Sequence, residues 1–286
     1  MKEVKVIGIG DNVCDHYEHL RTMFPGGQAL NFTVYASMLG AKSAYLGVFG
    51  TDAVAAHVMQ TLDELGIDRS HCRQYEGENG WAKVALENGD RVFLGSNRGG
   101  VLKEHPIRLT DADIDYLRGF SWLHTSNNSY FEEELPRAKQ AGIPVSYDFS
   151  GRWNEAERAA KVAPFADIVF LSCGSVSEEE TQDICRSLFH QGIRRMIATR
   201  GSKGAVYFDG TAFLWQAPEL VEPVDTIGAG DSFATAFLVS MLRMSPEQGG
   251  ICWEDQTALK EALSEAASFS AKTCLVQGAF GYGKAY

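Results

Sequence analysis

Asp225-Thr226-Ile227-Gly228-Ala229-Gly230-Asp231 sets a glycine-rich turn directly before an apolar run, with a carboxylate at the turn's exit. Gly228 and Gly230 let the backbone turn at little steric cost and leave its N–H groups exposed. Phe233, Ala236, Phe237, Val239, Ser240 and Leu242 then have the spacing of a buried helix. Unpaired N–H groups and the positive end of the helix dipole meet at such a corner, which suits an anion such as a transferring phosphoryl group. Asp231 is placed to take a proton from an attacking hydroxyl. The chemistry implied is phosphoryl transfer to an alcohol, with no Walker lysine.

A second glycine constellation lies in the first third: Gly26-Gly27-Gln28-Ala29-Leu30-Asn31, then Thr33, Gly40 and Gly50. Adjacent glycines before a helix let a ligand lie against backbone N–H groups, and Asn31 falls one helical turn after Gly27. Alone, this reads equally well as a tight strand-to-helix turn. Gly8-Ile9-Gly10-Asp11-Asn12-Val13 begins like a dinucleotide fingerprint, but Val13 stands where the third glycine belongs. Asp11 and Asp15 read better as carboxylates at the end of the first strand, where they could accept hydrogen bonds from sugar hydroxyls. The alternative for each is a solvated loop residue.

These residues need a scaffold, and the hydrophobic pattern supplies one. Val4–Ile9, Ser43–Val48, Trp122–His124, Val145–Asp148, Ile168–Leu171 and Met196–Thr199 read as short buried strands. Helical patterns at Gln28–Leu39, Ala53–Leu65, Glu132–Ala141, Glu155–Ala163 and Glu178–His190 alternate with them. That alternation predicts an α/β fold with a mostly parallel central sheet between two helical layers. Trp81–Leu86 and Arg91–Gly95 flank Asn88-Gly89, a favoured hairpin turn, and break the rhythm. The hairpin is expected to form a lid, mainly from 72–101 with part of 12–25, on a single domain spanning 1–286. An edge hairpin extending the main sheet is the alternative. A second hairpin pairs Ala205–Phe208 with Thr211–Trp215.

The chain has 286 residues, 26 basic and 37 acidic, and a net charge of −11 with no Lys/Arg block, which argues against a nucleic-acid partner. No apolar run approaches the roughly 18–20 residues needed to span a bilayer. Six scattered cysteines without a Cys-x-x-Cys are expected to be reduced thiols in a cytoplasmic protein.

Over nearly its whole length the chain resembles the PfkB/ribokinase family of carbohydrate kinases. The front signature is matched by Gly26-Gly27-x-Ala29-x-Asn31-x-Thr33, with Gly40 and Gly50 following, and the rear signature by Asp225-Thr226-x-Gly228-Ala229-Gly230-Asp231. The resemblance implies a three-layer ribokinase-like fold and the use of ATP and Mg²⁺. It assigns Asp231 as catalytic base, Gly228, Ala229 and Gly230 as anion hole, and Asp15, Gly27 and Asn31, with Gly26 beside them, as sugar-binding residues. Thr199, Gly201 and Gly204 resemble the turn bordering the nucleotide, and Gly278 and Ala279 the adenine-side segment. Asp148 and Arg152 resemble a mid-chain Asp-x-x-x-Arg segment. Asp225 and Ile227 lie where several relatives bind a monovalent cation.

The usual Asn-x-x-Glu after the fifth core strand is replaced by Ser172-Cys173-Gly174-Ser175 and the acidic start Glu178-Glu179-Glu180. The metal-side residues are therefore open; Glu178 and Glu179 are substitutes, or simply a solvated helix start. Tyr147-Asp148-Phe149-Ser150, Gln216-Ala217-Pro218 and Gly278–Gly283 resemble bacterial fructoselysine 6-kinases. That implies the 6-hydroxyl of a fructosamine as acceptor, with Arg91 or Arg98 on the hairpin receiving its carboxylate. A nucleoside kinase, another ketose or sugar-acid kinase, or a noncatalytic sugar sensor are the alternatives. Pairing of exposed hairpin edges makes a homodimer the expected assembly.

Overall fold

The computed structural model describes residues 3–87, 90–246 and 250–286. The Asn88-Gly89 turn and the Arg91 side chain lie outside the described residues.

The first third runs β1 (Lys5–Gly10), β2 (Val13–Tyr17), β3 (Thr22–Gly26), α1 (Gln28–Met38), β4 (Lys42–Phe49), α2 (Ala53–Glu64) and β5 (Arg73–Gln74). Then come β6 (Gly80–Glu87), β7 (Asp90–Ser96), α3 (Val101–Glu104), α4 (Asp111–Leu117), β8 (Trp122–Ser126), α5 (Leu135–Gln140) and β9 (Val145–Asp148). Next are α6 (Ala156–Val162), β10 (Ile168–Ser172), α7 (Glu178–His190), β11 (Met196–Thr199), β12 (Ala205–Phe208) and β13 (Phe213–Gln216). The chain closes with α8 (Ala229–Met244), α9 (Gln256–Thr273) and β14 (Lys284–Ala285).

Nine strands form the main sheet in the order β13-β12-β11-β10-β9-β8-β1-β4-β5. The strands from β11 to β5 are parallel, and β12 and β13 add an antiparallel edge. Successive side chains of a strand face opposite ways. Accordingly Val169 and Leu171 join Ile7, Ile9 and Leu46 beneath α4–α7, while Ile168 and Phe170 pack with Val6, Phe32 and Phe237 under α1, α8 and α9. These are the two outer layers expected from the alternation. The expected helix at Glu132–Ala141 is split: a 3₁₀ turn covers Glu132–Glu134 and α5 starts at Leu135. Pro136 in the first turn of α5 lacks a donor, which is tolerated only there.

The hairpin strands β6 and β7 belong to a separate five-stranded sheet, β14-β3-β2-β6-β7. They do not extend the main sheet. β2 pairs parallel to β6 and antiparallel to β3, and the C-terminal β14 pairs with β3 through Lys284 and Met23. A chain of buried amides joins the two sheets: Asn79 donates to Asn12, which donates to Tyr45 and to the Val48 carbonyl. The small sheet is thus tied to the carboxyl ends of β1 and β4, the side on which open α/β sheets carry their sites.

Candidate active site

The turn before α8 has the backbone its glycines were expected to allow. Gly228, the N-cap, is left-handed at φ 77°, and a Cβ there would come within 2.4 Å of the Tyr35 hydroxyl and 3.1 Å of Ala279 Cβ. No side chain caps α8; Ala229 N makes only a long bond of 3.3 Å to the Thr226 carbonyl, so the N–H groups of this first turn lack a side-chain acceptor. A Cβ on Gly230 would meet nothing within 4 Å, so the approach to this helix end is open. The turn is held from behind. Both carboxylate oxygens of buried Asp225 accept hydrogen bonds: from Ile227 N (2.8 Å), Gly278 N (3.0 Å) and the Tyr17 hydroxyl (2.5 Å).

Asp231 is half-buried in the first turn of α8, and its carboxylate accepts from Asn31 Nδ2 at 2.6 Å. Asn31 is 3% exposed, and its Oδ1 has no partner among the described residues. A buried acceptor without a donor costs free energy unless a ligand supplies one, and a hydroxyl would. Burial raises the Asp231 carboxyl above its usual range, the Asn31 amide opposes that, and Asp11 adds to it. Asp148, buried at the end of β9, is raised by burial and then by the Asp231 charge.

A pH dependence follows. A base must be ionised to act, so activity should fail on acidification at a pH above the ordinary carboxylate range. Asn31→Ala removes the donor that favours the charged form, so the acidic limb of log kcat against pH should move to higher pH. A limb that moves down or stays would contradict this electrostatic assignment.

Around Asn31 the front glycines divide their roles. A Cβ on Gly26 would lie 3.1 Å from Asp15 Oδ2 and 3.8 Å from Asn31 Oδ1. Gly26, Asp15 and Asn31 therefore cluster together, and Asn31 links the cluster to Asp231. Gly27 differs: at φ 113° its Cβ would strike the Asp11 carbonyl at 2.7 Å, so this glycine serves backbone packing. Asp11 is no solvated loop residue, nor does it offer a carboxylate open to a sugar. It is 3% exposed and accepts from Gln28 N, Ala29 N, Ser126 Oγ and Ser129 Oγ. It caps α1 from a distance because the N-cap residue, Gly27, has no side chain. Gly8 and Gly10 are likewise packing glycines, close against Ala29 with Thr33 and against Ser129, as the broken dinucleotide fingerprint suggested.

Beyond the α8 turn lies a cavity of about 220 Å³ lined by Thr199, Gly201, Ser202, Gly204, Ala229 and Gly230. Ala217–Val221 form one wall, and Ser270, Ala271 and Cys274 of the α9 end form the other. Gly278 and Ala279, expected beside the nucleotide, do not line this cavity. They are buried behind the turn, Gly278 donating to Asp225 and Ala279 accepting from Tyr35. Glu219–Val221 and the α9 end were not assigned to the site from sequence, because a segment without regular structure and a helix end show no periodic signal.

Glu178 and Glu179 open α7 in the solvent, and Glu178 faces Arg200 at 3.7 Å. No cluster of three metal-ligating acidic, His or Cys side chains occurs among the described residues. Arg98 is exposed at φ 57°, its carbonyl accepting from Tyr130. Arg152 is exposed and pairs with Glu155, away from Asp148's own partners.

Residues 3–280 match the profile of the pfkB family carbohydrate kinases. The chain belongs to this family. The chain is 37% identical over 284 residues to the fructosamine kinase FrlD of Bacillus subtilis, covering 99% of this chain and 95% of that protein. It is 30% identical over 273 residues to the fructoselysine 6-kinase of Escherichia coli, at 95% and 98% coverage. Among solved structures, the ATP-bound fructokinase of Xylella fastidiosa superposes with a TM-score of 0.79 at 21% identity, over 97% of this chain and 94% of that one. Arabidopsis thaliana ribokinase with ribose and ATP gives 0.78 at 19% identity, over 98% and 95%. The ribokinase-like fold expected from the sequence is thus the fold observed. As a pfkB carbohydrate kinase, this chain is an enzyme that phosphorylates a sugar with ATP.

Proposed function

We propose that this kinase moves the ATP γ-phosphoryl to the 6-hydroxyl of a fructosamine such as fructoselysine. The observation that carries the reading is the position of Asp231. It sits one hydrogen bond from Asn31 on the pocket side and in the first turn of the open α8 end on the other. A hydroxyl bound by Asp15 and Asn31 meets this carboxylate, which orients it and takes its proton. The N–H groups of 228–230 stabilise charge on the transferring oxygens, with the rest of the nucleotide in the adjoining cavity. Two relatives named for fructosamines support the acceptor class. So does the acidic surrounding of Asp231, whose charge is felt by Asp148 and which itself feels Asp11, a setting that favours an aminated ketose over a neutral one. Arg98, or Arg91 beyond the described side chains, is the proposed partner for the substrate's carboxylate.

Mg²⁺ fits this site without a protein cage, because the ion keeps waters and binds chiefly through substrate phosphates. It would neutralise triphosphate charge, with Glu178 or Glu179 acting through water. Asp225 and Ile227 are the proposed residues for a monovalent cation, beside the three chain donors that the Asp225 carboxylate already accepts.

The five-stranded sheet serves as the lid, excluding water from the transfer. Shortening the β6–β7 hairpin should raise the ratio of ATP hydrolysis to sugar phosphorylation, and an unchanged ratio in a folded variant would remove that role. Its edges also make it the proposed surface for a homodimer. No helix among the described residues is long and apolar enough to cross a membrane. Six cysteines, none of them joined in a disulfide among the described residues, support a reducing, cytoplasmic setting.

The test is a coupled ADP-release screen over fructosamines, ketoses, nucleosides and sugar acids. Fructoselysine should give the highest kcat/KM. A nucleoside or simple ketose in first place would overturn the substrate assignment.

A further inference from the structure

In the functional reading above, sugar and nucleotide take different parts of the molecule: one under the five-stranded sheet, the other beyond the α8 turn. One side chain bridges them. Tyr17 ends β2, 2% exposed, and its hydroxyl donates to Asp225 Oδ2 at 2.5 Å across 208 residues of sequence. Strand periodicity puts Tyr17 on the same side of β2 as Asp15. Its ring packs on Phe24 at 4.9 Å and, with Val84, forms a small core into which Ile227 of the α8 turn inserts. The lid's own core and the phosphate-facing turn are therefore one packing unit.

We propose that Tyr17 is a positioning residue that makes occupancy of the sugar pocket set the geometry of the α8 turn. The proposal rests on the functional reading above and adds a coupling to it. A sugar held by Asp15 fixes the end of β2. Tyr17 passes that constraint to Asp225, and Asp225 passes it to the Ile227 and Gly278 amides that shape the turn. The C-terminal segment closes the same loop, since β14 pairs with β3 and Tyr286 N donates to the Arg21 carbonyl. A hydrogen bond to a carboxylate is roughly twice as strong as one between neutral groups, so this is the strong link in the chain. Its effect is to make the phosphoryl site complete only when an acceptor is bound, which protects ATP from water.

Tyr17→Phe keeps the ring and deletes the donor. Binding of the non-hydrolysable analogue AMP-PNP is measured by calorimetry with and without saturating fructoselysine, and the same cycle is run with D-fructose. In the parent, sugar should tighten AMP-PNP by about 5–150-fold, the usual span of a coupling between sites. In Tyr17→Phe the factor should fall towards one, kcat should drop about tenfold, and the sugar's own Kd should stay within about threefold. Asp225→Asn and the double variant complete a cycle whose effects should be non-additive. An unchanged coupling factor in folded Tyr17→Phe, or additive effects, would overturn the proposal. Fructoselysine that fails to bind the parent counts against the substrate reading alone. A sugar-free readout stands beside it: amide exchange at 226–230 should speed up about tenfold in Tyr17→Phe, and unaltered exchange overturns the tether.

Discussion

Asp231→Asn is expected to lower turnover by roughly 10²–10⁴-fold, the span for loss of a general base, while sugar affinity stays within a few-fold. Asparagine has nearly the shape of aspartate and can still accept the Asn31 amide hydrogen bond seen at 2.6 Å. It cannot take up a proton. Initial-rate ADP release together with sugar calorimetry checks the split. Turnover within a few-fold of the parent would remove Asp231 from the chemistry, and lost sugar binding would recast it as a pocket residue.

Two glycines in the α8 turn should both lose turnover on gaining a methyl group but should part in stability. Gly228→Ala forces a left-handed backbone on an L-residue, a cost of about 1–2 kcal/mol. Its Cβ would also press on the Tyr35 hydroxyl at 2.4 Å. Both Tm and turnover should fall. Gly230→Ala meets nothing within 4 Å, lies inside α8 and replaces glycine with a better helix former, so Tm should hold or rise. Its methyl occupies the space through which a phosphate must reach the N–H groups. Turnover should therefore drop by about 10²–10³-fold, the range for loss of one anion-hole donor. Thermal unfolding and ADP release on the same preparations check both variants. A Gly230→Ala enzyme with parental turnover would place the phosphoryl group elsewhere.

The parallel core was legible because strands buried on both faces must be short apolar runs; Val145–Asp148 and Met196–Thr199 were bounded to the residue. The five-stranded sheet was only half legible. Its β6–β7 hairpin carries a turn signal, but β2 contains Asp15 and His16, β3 contains Pro25 and Gly26, and β14 is two residues long. Such strands exist through their pairing partners, and pairing across the whole chain leaves no local trace.

The site shows the same division. Gly228–Asp231 and Asn31 announce themselves because a turn and a helix start are local events. Asp11 was misread as a ligand residue because its four donors come from the start of α1 and from Ser126 and Ser129, the last two 115 and 118 residues away in sequence. The polar run Ser126-Asn127-Asn128-Ser129 at the end of an apolar strand was the available clue. Gly278 and Ala279 were placed beside the nucleotide, whereas their amide and carbonyl bond Asp225 and Tyr35. Only folding reveals that a glycine needed for close packing faces away from the ligand.

The most direct measurement is a crystal structure with AMP-PNP and fructoselysine bound. The account predicts the terminal phosphate within about 3 Å of the N–H groups of Ala229 and Gly230, and the 6-hydroxyl within similar reach of the Asp231 carboxylate. A terminal phosphate bound away from the start of α8, or an acceptor hydroxyl turned from Asp231, would contradict it.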